Sequence, residues 1–223
     1  MTLNKVINTT ILSTVIGLNG LVGNLTPAYA QTPAKQEQTK PAITNEEIEQ
    51  LMKKKTVEEI LEGAPVEYVK YDKEKGRTNF DELLSDPSAY AKFVFFYSSD
   101  LSYRNYFIDK YAAICFLEAF KTRPNLVKGI LFPDQVNPSL ARDNYQGLKE
   151  KFGLLGGPSF ALFIPAHGKS VKYDSFFGGP ENNREVPVVK TMLIKWIDIA
   201  MDQTNPDFRK FKYQNTLTLK PSD

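Results

Sequence analysis

The chain has 223 residues, with 28 Lys or Arg against 26 Asp or Glu, one histidine and one cysteine. This near-neutral balance lacks the basic excess of a nucleic-acid binder, so no nucleic-acid partner is expected. A single cysteine excludes an intramolecular disulfide, and so few soft ligands argue against structural zinc; neither a metal nor a cofactor is expected.

Residues 1–30 read as an export signal. Lys5 supplies a positive start, an apolar stretch from Ile11 to Val22 follows, and Ala28-Tyr29-Ala30 gives the small-x-small pattern of a cleavage site. Cleavage after Ala30 would leave the mature chain extracytoplasmic, whether in a periplasm, an organelle lumen or the medium. The competing reading is an uncleaved anchor, but Asn19, Gly20, Gly23 and Asn24 interrupt the apolar core of such a helix. No cysteine stands at the cleavage site, so lipid anchoring is unsupported. Oxidising compartments favour disulfides. A fold exported without one must rest on packing.

Residues 31–43 have the Gln, Pro, Thr and Lys composition of a flexible linker. Residues 44–64 form a helical extension. Thr44-Asn45-Glu46-Glu47 caps a first helix, with Ile48, Leu51 and Met52 on one face, and Thr56-Val57-Glu58-Glu59 opens a second that Gly63 and Pro65 stop. Residues 65–203 make the main domain. The 66–71 stretch alternates like a half-buried strand, and Gly76 breaks the chain before a short capped helix at 79–84. The continuous apolar run Phe93-Val94-Phe95-Phe96-Tyr97 reads as a strand buried on both faces. Residues 102–120 are helical, 126–132 form a strand, and 138–152 form a helix with Pro138 in its first turn. Residues 160–164 and 171–177 pair as a hairpin around Ala166-His167-Gly168-Lys169. Residues 187–201 form the last helix, and 204–223 are a polar, basic tail. The basic and aromatic run at 208–213 offers a weak contact with an anionic membrane surface, or else packs along an edge or stays solvated. Glu181 to Glu185 fit no calcium loop and read as a solvated turn.

The order of helix, then βαβαβα, then a hairpin, then a helix requires a parallel sheet between helices, with an antiparallel edge. Over about residues 66–202 the chain resembles the thioredoxin superfamily. Three segments carry the resemblance: residues 93–99, like the strand leading into that family's active-site loop; Val136-Asn137-Pro138-Ser139-Leu140-Ala141, like the start of its third helix; and residues 152–163, where Pro158 matches its cis proline. The resemblance implies a thioredoxin-like α/β three-layer sandwich with a central mixed sheet.

It also implies a Cys-x-x-Cys just after the central strand, and none is present. Aligned without a gap the two positions are Leu101 and Arg104; shifted by two they are Ser99 and Ser102. Neither alignment offers a sulfur. The family's buried acid falls at Phe95, which cannot relay a proton. Serine forms no disulfide and is a weak nucleophile without an adjacent base. Cys115 reads as a small buried hydrophobe, with a one-cysteine oxidoreductase or peroxidase as the alternative. Pro158 either holds a turn or, as in relatives, leaves backbone free to pair with an extended peptide. The expected contact surface for an extracytoplasmic protein or peptide is Ser98, Ser99, Asp100, Leu101, Ser102, Tyr103, Arg104, Gly157 and Pro158. Tyr97 and Phe107 are expected in the core, and Tyr103 and Arg104 at the surface.

Overall fold

The computed structural model describes residues 42–102, 104–136, 152, 154, 158–166, 168–202 and 215–219. In chain order the elements are α1 (Asn45–Met52), α2 (Val57–Ile60), β1 (Val66–Tyr68), β2 (Tyr71–Asp72), β3 (Arg77–Thr78), α3 (Phe80–Ser85), β4 (Ala91–Tyr97), α4 (Tyr106–Lys121), β5 (Val127–Pro133), β6 (Ser159–Pro165), β7 (Ser170–Phe177), α5 (Val186–Met201) and β8 (Asn215–Thr218). The expected signal at 1–30, the helix at 138–151, His167 and the 208–213 run lie outside the described residues. Among the described residues no helix is long and apolar enough to cross a membrane.

The apolar run at 93–97 becomes β4, and all seven of its residues are buried. Such a strand needs cover on both faces. It lies inside a six-stranded mixed sheet of order β1-β5-β4-β6-β7-β8. β1 and β4 run parallel to β5, while β6, β7 and β8 continue antiparallel. The alternation of β4 divides the core in two. Phe93, Phe95 and Tyr97 join the apolar faces of α4 and α5. Val94 and Phe96 join Phe80, Phe132, Phe152 and Phe163 on the opposite face. On the first face the Phe116 ring stacks with Phe93 and Phe95 at 4.8 and 5.5 Å between centroids. On the second, Phe80 meets Phe132 edge-on at 5.0 Å. Gly129 is needed where β1 and α4 converge on β5. A Cβ there would stand 2.8 Å from Val66 Cγ1 and 3.2 Å from Phe120.

The helical extension is part of this core. Thr44 closes a capping box with Glu47, and Thr56 accepts from Glu59 N. Ile48, Val57, Ile60 and Leu61 are buried against α4. Ile43, which composition assigns to the linker, has both of its peptide groups bound. Its N–H donates to Glu118 Oε2 at 2.8 Å and its carbonyl accepts from Lys190 Nζ at 3.3 Å.

Several boundaries differ from expectation for local reasons. The strand at 66–71 stops at Tyr68, and Tyr71 belongs to the separate β2–β3 ribbon, turned by Gly76 at φ +61. Asn79 does not cap α3; its side chain accepts from Lys70 N instead, at 2.7 Å. Leu126 precedes its strand rather than opening it and is exposed. The last helix begins one residue early, at Val186. Within the tail, residues 215–218 pair with β7 and bury Leu217.

Candidate functional site at the carboxyl end of the central strand

The carboxyl ends of parallel strands are where an open α/β sheet leaves backbone and side chains free to meet a ligand. Here β4 and β5 end in register, Tyr97 opposite Pro133. Asp134 N adds one more rung by donating to Tyr97 O at 3.0 Å. That rung turns the Asp134 side chain back over the residues that follow β4. Its Oδ2 accepts from Ser98 Oγ at 2.9 Å, and its Oδ1 accepts from both Ser99 N and Ser99 Oγ at 2.8 Å. A second carboxylate arrives from the first turn of α4: Asp109 Oδ1 accepts from Ser98 N at 3.1 Å. Ser98 therefore sits between two acids, bonded to each.

The chain then turns on itself. Ser102 N and Oγ both donate to Asp100 Oδ1, at 2.9 and 2.6 Å, and these bonds hold the Asp100 carboxyl below its ordinary pKa. This side-chain turn competes with helix formation, which explains why α4 starts at Tyr106 rather than at the expected residue 102. It also corrects the placement of Phe107. Tyr106 and Asp109 face inward, and Phe107, next along the helix, is 43% exposed with its ring edge-on to Tyr111. Tyr97 is buried as expected. Its hydroxyl donates to Glu58 Oε1 at 2.5 Å, and burial with this acid raises the phenol far above its ordinary pKa.

Of the residues singled out from the sequence, Ser98, Ser99, Asp100 and Ser102 form one bonded turn. Leu101 and Arg104 project from it, Leu101 being 59% exposed. Tyr103 and Gly157 lie outside the described residues. Pro158 is buried beside α4: a Cβ at Gly179 would come within 3.0 Å of both Pro158 Cγ and Ala112 Cβ. No cis peptide occurs among the described residues, and the bond into Pro158 begins at Gly157, outside them.

Two acids that the sequence reading passed over hold the site together. Phe95, where the resemblance puts a buried acid, is packed between Phe116 and Phe160. The buried acid comes from the helix instead. Asp109 is 1% exposed, and burial pushes its carboxyl up to about 6. The Ser98 N–H opposes this shift, and the nearby Asp134 charge adds to it. Among the described residues no Lys or Arg forms an ion pair with either acid. The signal available in sequence was a lone acid inside an apolar helical stretch, and another directly after an apolar strand.

Thiolate chemistry has no support in this arrangement. Cys115 is fully buried in α4, its Sγ lies 3.7 Å from Val186 O, and burial pushes its thiol up to about 12. The Ser98 and Ser99 hydroxyls are committed to Asp134. Among the described residues no group of three or more His, Cys, Asp or Glu could hold a metal ion. At 181–185, Asn182 Oδ1 accepts from Arg184 N and Glu185 N, as a self-contained turn does. No family model and no curated protein matches this chain.

Proposed function

We propose that the chain is an exported thioredoxin-like protein without dithiol redox activity, and that it binds a protein or extended peptide outside the cytoplasm. The strand order supports the fold reading: three parallel strands, β1, β5 and β4, are followed by antiparallel β6 and β7, with α4 linking β4 to β5 and α5 after the hairpin. The observation that carries the functional reading is the turn at 98–102. It occupies the end of the central strand with hydroxyls and carboxylates where paired thiols would have to stand, and it exposes Leu101. A bonded turn that presents an apolar side chain suits binding, because little conformational freedom is lost when it docks. The signal-like pattern at 1–30 supports an extracytoplasmic location, and the basic run at 208–213 would add a weak contact with an anionic membrane surface.

A one-cysteine redox function is disfavoured by the protonated, enclosed thiol of Cys115. In native protein near pH 7.5, iodoacetamide should leave Cys115 unmodified over hours, and unfolding in guanidinium should expose it within minutes. Insulin disulfides should be reduced no faster than in a protein-free control. Rapid native alkylation, together with insulin reduction that alkylation abolishes, would overturn the reading. The binding half is tested on an array of extended peptides. Leu101→Asp should weaken the retained peptides at least tenfold without shifting the melting temperature. Equal retention by Leu101→Asp and the parent chain would remove the turn from the binding surface.

A further inference from the structure

The bonded turn at 98–102 is anchored by an acid that is enclosed and faces a second acid. Asp109 accepts Ser98 N, Asp134 accepts Ser98 Oγ, and so one serine bridges the two carboxyl groups. The groups facing Asp109 come from each neighbouring element. The ends of β4 and β5 contribute Ser98 and Asp134; α4 contributes Tyr106, whose hydroxyl accepts Val57 N at 3.0 Å. Glu58 and Glu59 of α2 add negative charge around Tyr106. The nearest lysine in sequence, Lys110, directs its ammonium to Met52 O at 2.5 Å. Among the described residues the groups around Asp109 are thus a serine, acids and a phenol, and its charge is answered by backbone N–H groups.

We propose that Asp109 makes the 98–102 turn a pH-responsive strap, closed when its carboxyl is protonated and released when it ionises. With the proton on, the Asp109 carbonyl oxygen still accepts Ser98 N and the repulsion from Asp134 is gone. With the proton off, two carboxylates face each other across Ser98 in a site with little water. Opening the turn hydrates Asp109 and separates the charges. In the open form its pKa relaxes toward the ordinary 3.8 from the closed-form value of about 6. Linkage then raises the opening equilibrium up to about 60-fold between pH 4 and pH 7. The consequence for a partner rests on the binding reading above; the strap itself does not.

Amide hydrogen exchange of Ser98 and Ser99 in the full chain reads this directly, because it reports local opening. After correction for intrinsic chemistry, the opening constant of Ser98 should rise about 60-fold from pH 4 to pH 7. The Phe95 amide in β4 should exchange more slowly throughout, which marks the opening as local. Asp109→Asn, which keeps the acceptor for Ser98 N, should flatten the profile to less than about threefold. A flat profile in the parent chain, the same rise in Asp109→Asn, or Ser98 exchanging at the rate of Phe95 would each overturn the strap. Should the variant fail to fold, the ¹³C titration of the Asp109 carboxyl in the parent chain decides. A midpoint near 6 that tracks the opening supports the proposal, and a midpoint below about 4.5 refutes it. The exchange needs no partner, so it can fail while peptide binding survives, or the reverse.

Discussion

Replacing Glu118 by alanine should lower the unfolding free energy by about 3–5 kcal/mol, read from guanidinium midpoints at pH 7. Glu118 on α4 and Lys190 on α5 meet at 3.2 Å with both side chains nearly enclosed. Each has already lost most of its water. The carboxylate uses its second oxygen on Ile43 N, and the ammonium also reaches Ile43 O. Truncating Glu118 therefore strands a buried ammonium and a peptide N–H together, which is the expensive way to break such a pair. Replacing both partners, as Glu118→Leu with Lys190→Met, should recover most of the loss, because the desolvation cost of both ions disappears. The double-mutant cycle isolates the coupling. Arg123 and Asp198 form the natural control, since both side chains are more than a third exposed. Arg123→Ala should cost no more than about 1 kcal/mol. A Glu118→Ala loss as small as that control's would mean water reaches the pair, and Ile43 would then be held by packing alone.

That clamp also shows what was legible in the chain and what was not. The caps at Thr44 and Thr56 could be read because capping is local, with donor and acceptor three residues apart. β4 could be read because a strand covered on both faces must be apolar at every position. The Glu118–Lys190 pair joins residues far apart in sequence, and no periodicity announces it. The same holds at the candidate site: Ser98 meets Asp109 eleven positions on, and Ser99 meets Asp134 thirty-five on. An isolated aspartate in a helix ordinarily faces solvent. Asp109 is buried because α4 begins late, at Tyr106, and so presents Asp109 to the end of β4. The late start follows from the Asp100–Ser102 turn, whose energy lies in side-chain bonds rather than in a pattern of apolar residues. The exposure of Phe107 has the same origin: which residues of α4 face inward depends on where the helix starts. β8 carried a usable sign, the alternation Thr216-Leu217-Thr218-Leu219, but four residues in a polar tail acquire meaning only once β7 offers an edge.

The enclosed acid carries a stability consequence of its own, and its sign is opposite to that of an ordinary paired carboxylate. With a folded value near 6 against an ordinary 3.8, the native chain holds a proton that the unfolded chain has released between those two pH values. Stability contributed at this position therefore falls as pH rises through that window. Below about 3.8 both states are protonated and the effect vanishes; above about 6 both are ionised and the native state bears the whole cost, about 3 kcal/mol. Asp109→Asn removes the titration while keeping an oxygen for Ser98 N and adding donors toward Asp134. It should stabilise the protein by about 2–3 kcal/mol at pH 7.5 and by less than about 1 kcal/mol at pH 4, measured by urea denaturation at both values. Asp134→Asn should destabilise at pH 4, where Asp109 is protonated and no repulsion is relieved. Asp134 receives three donors, from Ser98 and Ser99, and exchanging one acceptor oxygen for an amide makes a serine hydroxyl turn to accept and deprives its O–H of the carboxylate, a loss of about 1–3 kcal/mol. Two acids on one serine would thus answer the same substitution differently at pH 4, because burial governs one and donor count the other. Destabilisation by Asp109→Asn at pH 7.5 would mean that the backbone N–H groups around it compensate the charge fully. The position would then serve to hold the start of α4 rather than to respond to pH.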